Sequence, residues 1–224
     1  NHSWRSMGVL LDTEEDLGAP LFFINSHFSC CDADDNRQEQ VDELMGFVRD
    51  LKNGLGPFTL EYGTPIVHVG DFNLVGYRQQ LTTLTDGDIV DEASYGIDFL
   101  PDWDNSPLTD LFSRHTHIRM GYTWRKDGSS FNPGKLDYIL YTDSVIELEK
   151  HFVLNTLAIP ETELLEYGLL AEDTNIASDH LPRVMDIAET ITESSVPVPN
   201  LEGWNLVGLP VIVEDPYYLS VFPN

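Results

Sequence analysis

Positive charge is scarce in this sequence of 224 residues, which has 12 lysines and arginines against 38 aspartates and glutamates and a formal net charge of −26. Nucleic-acid binding by general phosphate neutralisation needs a cationic surface, so this class is excluded. Docking on an anionic membrane surface is disfavoured for the same reason. No run of about 18 apolar residues exists, so we expect no integral membrane contact.

Cysteine is also rare: the chain has two, Cys30 and Cys31, and they are adjacent. Adjacent cysteines rarely form a relaxed disulfide, so no disulfide framework is expected. We expect two buried or half-buried thiols, with a vicinal disulfide at a cleft as the alternative. The chain starts at Asn1 without a signal peptide, which indicates a removed leading segment or a fragment.

Hydrophobic residues make up 42% of the chain, enough for a packed core. Short apolar runs predict strands, and apolar positions at helical spacing predict helices. The predicted strands cover 21–24, 65–69, 122–124, 136–141, 145–153 and 181–187, and the predicted helices cover 41–51, a short segment around 81–84, and 160–167. Strands and helices interleave, which predicts a layered α/β architecture.

The amino-acid composition of the sequence changes at Glu189. Residues 189–200 are rich in Thr, Ser and Pro, which is typical of a linker. Residues 201–224 are apolar and aromatic but too few to fold alone, so we interpret them as the start of a β-rich C-terminal module. The main domain is predicted to span residues 1–188.

Four short segments place Asn, Asp or His beside an apolar run. They are Asn25-x-His27, 70–73 (Gly-Asp-Phe-Asn), 136–138 (Leu-Asp-Tyr) and 178–182 (Ser-Asp-His-Leu-Pro). Strand ends in layered α/β folds converge on one cleft. Their imidazoles, carboxylates and carboxamides are suited to binding a hard divalent cation, activating water and holding a phosphoryl group. Each segment alone also fits a turn.

Asp137 stands out because it interrupts an apolar strand. A buried carboxylate without a partner is costly, so we expect an imidazole beside it. His180 is the natural candidate.

These segments resemble the endonuclease/exonuclease/phosphatase family, which has the deoxyribonuclease I-like fold. The matching stretches are 24–28, 69–73, 122–124, 135–140 and 177–182, and the resemblance covers about residues 1–188. It implies a layered α/β sandwich with a mixed or antiparallel sheet flanked by helices, of which this chain would be the second half. It also implies a phosphoesterase that uses Mg²⁺, or else Mn²⁺ or Ca²⁺, while water attacks the phosphate ester in line.

The resemblance further implies roles for individual catalytic residues. His180, paired with Asp137, is the principal acid–base imidazole. Asp71 orients or deprotonates the attacking water, and Asn73 bonds the phosphoryl oxygen. His27 is the second imidazole, on the opposite side of the scissile phosphate.

Two more residues carry binding roles by the same resemblance. Asn25 positions the phosphate, and Asp179 lies with Asp71 at the metal site. The family's metal-binding Glu has no counterpart before Asn25. We therefore expect the N-terminal half of the same domain, as a separate chain or a missing segment, to supply it beside the phosphate-ester substrate.

Five of the 12 cations gather within 22 residues of the chain. They are Arg114, Arg119, Arg125, Lys126 and Lys135. A local positive patch can receive a substrate phosphate, whereas a solvated loop is the alternative. We take Arg119, Arg125 and Lys135 as candidate substrate-binding residues.

Two single residues remain ambiguous in the sequence. His68 lies within an apolar run and is interpreted as a core histidine. Trp103 is interpreted either as a substrate-facing aromatic or as part of loop packing.

The segment 203–210 (Gly-Trp-Asn-Leu-Val-Gly-Leu-Pro) resembles the opening of a bacterial C-terminal secretion or sorting module. This resemblance implies a secreted, bacterial protein. An extracellular nuclease or phosphodiesterase is the first prediction, and a sphingomyelinase- or inositol-phosphatase-like enzyme is the alternative. The non-enzymatic alternative is a catalytically incomplete binding or adhesion module.

Overall fold

The computed structural model describes residues 5–188, so the predicted linker 189–200 and the predicted module 201–224 lie outside the described residues. The elements, in chain order, are β1 (Ser6–Leu11), α1 (Glu14–Leu17), β2 (Leu21–His27), α2 (Asp34–Lys52), β3 (Ile66–Asp71), α3 (Gln79–Asp86), α4 (Glu92–Tyr95), β4 (Thr109–Asp110), β5 (Asp137–Tyr141), β6 (Leu148–Val153), α5 (Glu161–Tyr167), α6 (Asp173–Ala177) and β7 (Arg183–Ile187). A 3-10 turn at Thr156–Ala158 precedes α5. None of the helices in this range is both long and apolar enough to cross a membrane.

Five strands form one mixed sheet in the order β1-β2-β3-β5-β4. Strands β2 and β3 run parallel, and α2 provides the crossover that a parallel pair requires. The other neighbouring pairs of this sheet are antiparallel. Strands β6 and β7 form a separate antiparallel pair. The α/β class with a mixed sheet flanked by helices, predicted from the sequence, is confirmed.

Helix α2 covers one face of the large sheet. Its buried positions include Val41, Met45 and Val48, which belong to the same core cluster as Phe22 and Ile24 of β2. Acidic residues in the first turn of α2 and basic residues in its last turn suit the helix dipole. The helix therefore fixes β2 and β3 side by side, which determines where both strands end.

The opposite face of the sheet is apolar for most of its length. Phe23, Val67 and Ile139 alternate with the residues that face α2, and they belong to a second core cluster with Met185 and Ile187 of β7. A cavity of about 530 Å³ lies between this face and the segment 181–187. The polar residues of the candidate site continue the same face at the strand ends.

The predicted strand 122–124 is wrong. Trp124 forms only isolated bridges, to Gly134 and His180. The backbone N–H groups of Thr123 and Trp124 both donate to the carbonyl of Gly134, at 2.9 and 3.0 Å. Successive N–H groups of a strand point in opposite directions, so this segment cannot continue a ladder.

Other boundaries also differ from the prediction. Strand β6 begins at Leu148 rather than residue 145, because the N–H groups of Val145 and Ile146 donate to Thr142 and form a turn. Strands β1 and β4 and helices α1, α4 and α6 were not predicted. In β1, five of the six residues are exposed, so it lacks the alternation that marks a half-buried strand.

Candidate active site

Three polar side chains lie in one row across the end of the large sheet. His27 of β2 is the register partner of Asp71 of β3, and Asp71 is the register partner of Asp137 of β5. Each of them terminates or begins its strand, so the row lies at the edge where the apolar face stops. Asn25 lies two residues before His27 on the same strand and is exposed on the same face.

His180 completes this row from the segment before β7. Its Nδ1 lies 2.9 and 3.1 Å from the carboxylate oxygens of Asp137, so the predicted pairing of these residues is present. Its Nε2 lies 3.9 Å from Oδ2 of Asp71, and Nε2 of His27 lies 3.5 Å from the same oxygen. Two imidazoles therefore approach Asp71 from two sides.

The environment of Asp71 favours its protonated form. Partial burial raises the pKa of this carboxyl, and the negative charge of Asp137 raises it further. The charges of His180 and His27 and a hydrogen bond from the backbone of Asn73 act in the opposite direction. A cation placed between the carboxylates would relieve the same repulsion.

Asn73 is held in an unusual backbone conformation directly after β3. Its φ is +51°, in the left-handed region that asparagine tolerates better than most residues. Its N–H donates to Oδ1 of Asp71 at 3.1 Å, and its side-chain amide donates to the carbonyl of Phe28 at 3.1 Å. The carboxamide is therefore buried and fixed in orientation beside the row.

Asp71, Asp137 and His180 are the one group of residues in the described chain that could hold a metal ion. One ligand atom from each lies within 4.8 Å of the others. Carboxylate oxygens and an imidazole suit a divalent cation such as Mg²⁺ or Mn²⁺. The donor set therefore fits the metal that the family resemblance implies, although it offers only three protein ligands.

Asp179 lies apart from this group. Its carboxylate faces Lys126, whose Nζ is 3.8 Å away, and it lines a different cavity of about 400 Å³ together with Arg125. The structure thus brings Asp71 but not Asp179 to the cluster that could hold a metal.

The three candidate substrate-binding cations lie in different environments. Lys135 contacts both carboxylate oxygens of Asp110 at 2.6 and 2.7 Å. Arg125 makes a bidentate contact with Asp127, at 2.7 and 2.8 Å. Arg119 is exposed to solvent. Carboxylates thus offset the charges of two of the three.

Two residues that position Asp137 were missed in the sequence. The buried hydroxyl of Thr123 accepts hydrogen bonds from the N–H groups of Leu136 and Asp137, at 3.0 and 2.9 Å. Arg183 donates to the carbonyl of Asp137 at 3.0 Å. Arg183 directly follows the 178–182 motif, and this position could have indicated its role. No pattern in the sequence indicated the role of the Thr123 hydroxyl.

The cleft beside the row is a cavity of about 800 Å³. Its lining includes His180, Asn73, Trp124 and the two cysteines. Both thiols are exposed, so the expectation of buried or half-buried thiols is wrong. They lie in the loop 28–33 that connects β2 to α2, which keeps them at the surface.

The two ambiguous residues are packed in the interior. His68 is buried and its Nε2 lies 2.7 Å from Oγ of Ser26, which confirms the interpretation as a core histidine. Trp103 is buried and donates to the carbonyl of Thr64 at 2.7 Å, so loop packing explains it.

No family model and no curated protein matches this chain. Solved structures similar to it include a mannosyl-6-phosphatase of Bacteroides thetaiotaomicron (18% identity, TM-score 0.43, covering 76% of this chain and 52% of that one). The human Nocturnin catalytic domain with a bound sulfate anion is similar at 16% identity and TM-score 0.43, over 82% of this chain and 60% of that one.

An endonuclease/exonuclease/phosphatase family protein from Bacteroides thetaiotaomicron is similar at 16% identity and TM-score 0.40, over 77% of this chain and 50% of that one. The chain thus spans about half to three fifths of the length of these proteins. The last of these proteins carries the name of the family that the sequence motifs of this chain resemble.

Proposed function

We propose that this chain carries the C-terminal part of a divalent-metal-dependent phosphoesterase that hydrolyses phosphodiester bonds. The row of His27, Asp71 and Asp137, closed by His180, is the observation that carries the proposal. It combines a hydrogen-bonded imidazole–carboxylate pair with a second carboxylate whose proton affinity is raised. A binding module without chemistry has no need for this arrangement.

Each residue of the site has a separate role in the in-line attack of water on the phosphate ester. Asp71, between two imidazoles, orients the attacking water and accepts its proton. Asp137 holds Nδ1 of His180, so the other ring nitrogen, Nε2, is turned towards the reacting groups. His27 lies on the far side of Asp71. We assign to Asn73 the hydrogen bond to the phosphoryl oxygen as its charge grows, through the amide N–H that does not donate to Phe28.

A bound cation would neutralise charge on the phosphate, held by carboxylate oxygens of Asp71 and Asp137 in the group that also contains His180. Hard divalent cations take about six or more ligands, which carboxylates, substrate oxygens and water share. The family resemblance implies a metal-binding Glu that has no counterpart before Asn25, so we propose that the N-terminal half of the same domain contributes this carboxylate and packs on the apolar face next to β7.

A hydrolysis assay tests the proposed activity. Bis(p-nitrophenyl) phosphate and p-nitrophenyl phosphate are offered to the longest natural polypeptide that contains this sequence, with Mg²⁺, Mn²⁺, Ca²⁺ or EDTA. We expect turnover of the diester that depends on the metal and that exceeds turnover of the monoester. The absence of metal-dependent turnover of either substrate would refute the enzyme assignment.

Two histidine variants test the site itself. His180→Ala removes the partner of Asp137 and should lower turnover by about 10²- to 10⁴-fold. His117→Asn is the matched control, because His117 is solvent-exposed, pairs with Glu163 and has a φ of +67° that asparagine tolerates. Full activity of His180→Ala would show that the chemistry lies elsewhere.

We also propose that the protein is secreted by a bacterium. The resemblance of 203–210 to a secretion module and the net charge of −26, which suits a salty medium, support this proposal. Fractionation of the producing cells into medium, envelope and cytosol tests it, and recovery in the cytosol alone would contradict it.

A further inference from the structure

Two adjacent thiols lie on the wall of the cleft that contains His180. The Sγ atoms of Cys30 and Cys31 are 2.6 Å apart, and both cysteines are exposed. Non-bonded carbon atoms are comfortable at about 3.5–4.0 Å, and sulfur is larger. The two sulfurs are thus held closer together than separate thiols prefer, at a position that solvent can reach.

A buried arginine of α2 holds the loop that contains both cysteines. Arg37 of α2 has no exposed surface and donates to the carbonyls of Ser29 and Cys31, at 2.7 and 3.0 Å. Gln40 binds the backbone and the hydroxyl of Ser29, both at 3.0 Å. The backbone on each side of Cys30 is therefore anchored to the same helix.

Cys31 has a strained backbone conformation. Its φ is +66°, in the left-handed region that residues with a Cβ rarely adopt. Such a conformation is costly and persists only when its surroundings impose it. Side chains of neighbouring residues in extended backbone point apart, whereas this turn brings the two thiols together.

We propose that Cys30 and Cys31 are a thiol–disulfide exchange site, at which a small-molecule disulfide converts the pair into a vicinal disulfide on the cleft wall. The thiolate of one cysteine attacks the reagent and releases its first thiolate. The second cysteine then attacks the protein sulfur of the mixed disulfide and releases the other. The two protons end on the two released thiols, so the dithiol is oxidised and the reagent is reduced.

Thiolate is the attacking species, so exchange depends on pH. The hydrogen bond with Cys30 raises the pKa of the Cys31 thiol, and the negative charge of Asp32 adds to this effect. We expect the reaction to speed up as the pH rises above neutrality. The ring is strained and exposed, and such disulfides are reduced easily, so mild thiol reagents should reopen it.

Mass spectrometry tests this site without reference to catalysis. The chain is incubated with oxidised glutathione at mildly alkaline pH, quenched with acid and treated with N-ethylmaleimide. We expect the wild type to lose two hydrogens, to carry no glutathione and to accept no maleimide. Dithiothreitol should restore two maleimide sites.

Single-cysteine variants distinguish ring closure from ordinary thiol modification. Cys30→Ser and Cys31→Ser each lack the second thiol, so each should keep one glutathione that the wild type expels. Wild-type protein that accumulates glutathione adducts, or that forms disulfide-linked dimers instead of the internal ring, would overturn the proposal.

Discussion

Asp71 and Asp137 are direct register partners on adjacent antiparallel strands, so two carboxylates face each other across β3 and β5. Like charges in this relation destabilise a sheet unless something offsets them. Here His180 contacts Asp137 directly and approaches Asp71. A positive charge beside Asp71 and Asp137 would therefore reduce their mutual repulsion at the end of the apolar sheet face.

Neutralising Asp137 should change the titration of its neighbour. In Asp137→Asn the negative charge that raises the pKa of Asp71 is gone, so the pKa of Asp71 should fall. Carbon-detected NMR of the metal-free protein measures it. Turnover should fall by about 10²-fold or more, because His180 loses the acceptor that orients it. Asp127→Asn, at an exposed aspartate, is the control, and an unchanged pKa of Asp71 would contradict the prediction.

His68 should make the folded state sensitive to acid. Burial lowers the pKa of His68 to about 3, against an ordinary value of 6.5. Between these values the unfolded chain binds a proton that the folded chain does not, so stability falls as the pH drops below about 6.5. The slope reaches about 1.4 kcal/mol per pH unit.

Urea unfolding between pH 4 and about 8 measures this effect, with His68→Gln as the comparison. The variant should lack the part of the acid sensitivity that His68 contributes. Identical pH profiles for both proteins would show that another group is responsible.

Gly70 should tolerate no side chain. Its φ is +142°, and a Cβ there would lie 1.9 Å from the carbonyl oxygen of Ser26 on the adjacent strand. Gly70→Ala should lower stability by about 3 kcal/mol or more and weaken metal binding, because Asp71 follows directly. Gly134→Ala is the matched control, since a Cβ at Gly134 meets nothing within 4 Å. Thermal unfolding and calorimetric metal titration compare the two, and equal behaviour would contradict the prediction.

Variants of Lys135 and Arg119 should show which of these two cations stabilises the fold and which binds substrate. Lys135 is paired with Asp110 and lies 4.2 Å from the centre of the Tyr138 ring. Lys135→Met leaves Asp110 without its partner and should cost about 1–3 kcal/mol of stability while KM stays unchanged. Arg119→Ala should raise KM several-fold without changing the melting temperature. A raised KM in Lys135→Met with normal stability would restore Lys135 as a substrate contact.

Regular elements with strong periodicity were predictable from the sequence, and contacts with distant backbone were not. The helical spacing of Val41, Met45 and Val48 predicts helix α2. Asp137 interrupts an apolar strand, and this carboxylate in an apolar run predicted the imidazole that contacts it. The hydroxyl of Thr123 accepts from backbone N–H groups, which nearly every residue has. The identity of the residues around it therefore could not predict this contact.

The position of Asp179 shows a second limit of sequence reasoning. A motif places Asp179 and His180 side by side in the chain, but adjacent side chains in extended backbone point to opposite sides. His180 turns towards Asp137, and Asp179 therefore faces Lys126.

Strand β1 has a consequence for handling the protein. It is one of the two edge strands of the large sheet among residues 5–188, and Met7, Val9 and Leu10 are exposed on it. An exposed apolar edge is a template for strand pairing between molecules, which leads to aggregation. The net charge of −26 keeps molecules apart through repulsion, and protonation of the carboxylates removes it. Concentrated stocks should therefore remain clear at neutral pH and become turbid as the pH is lowered towards the isoelectric point.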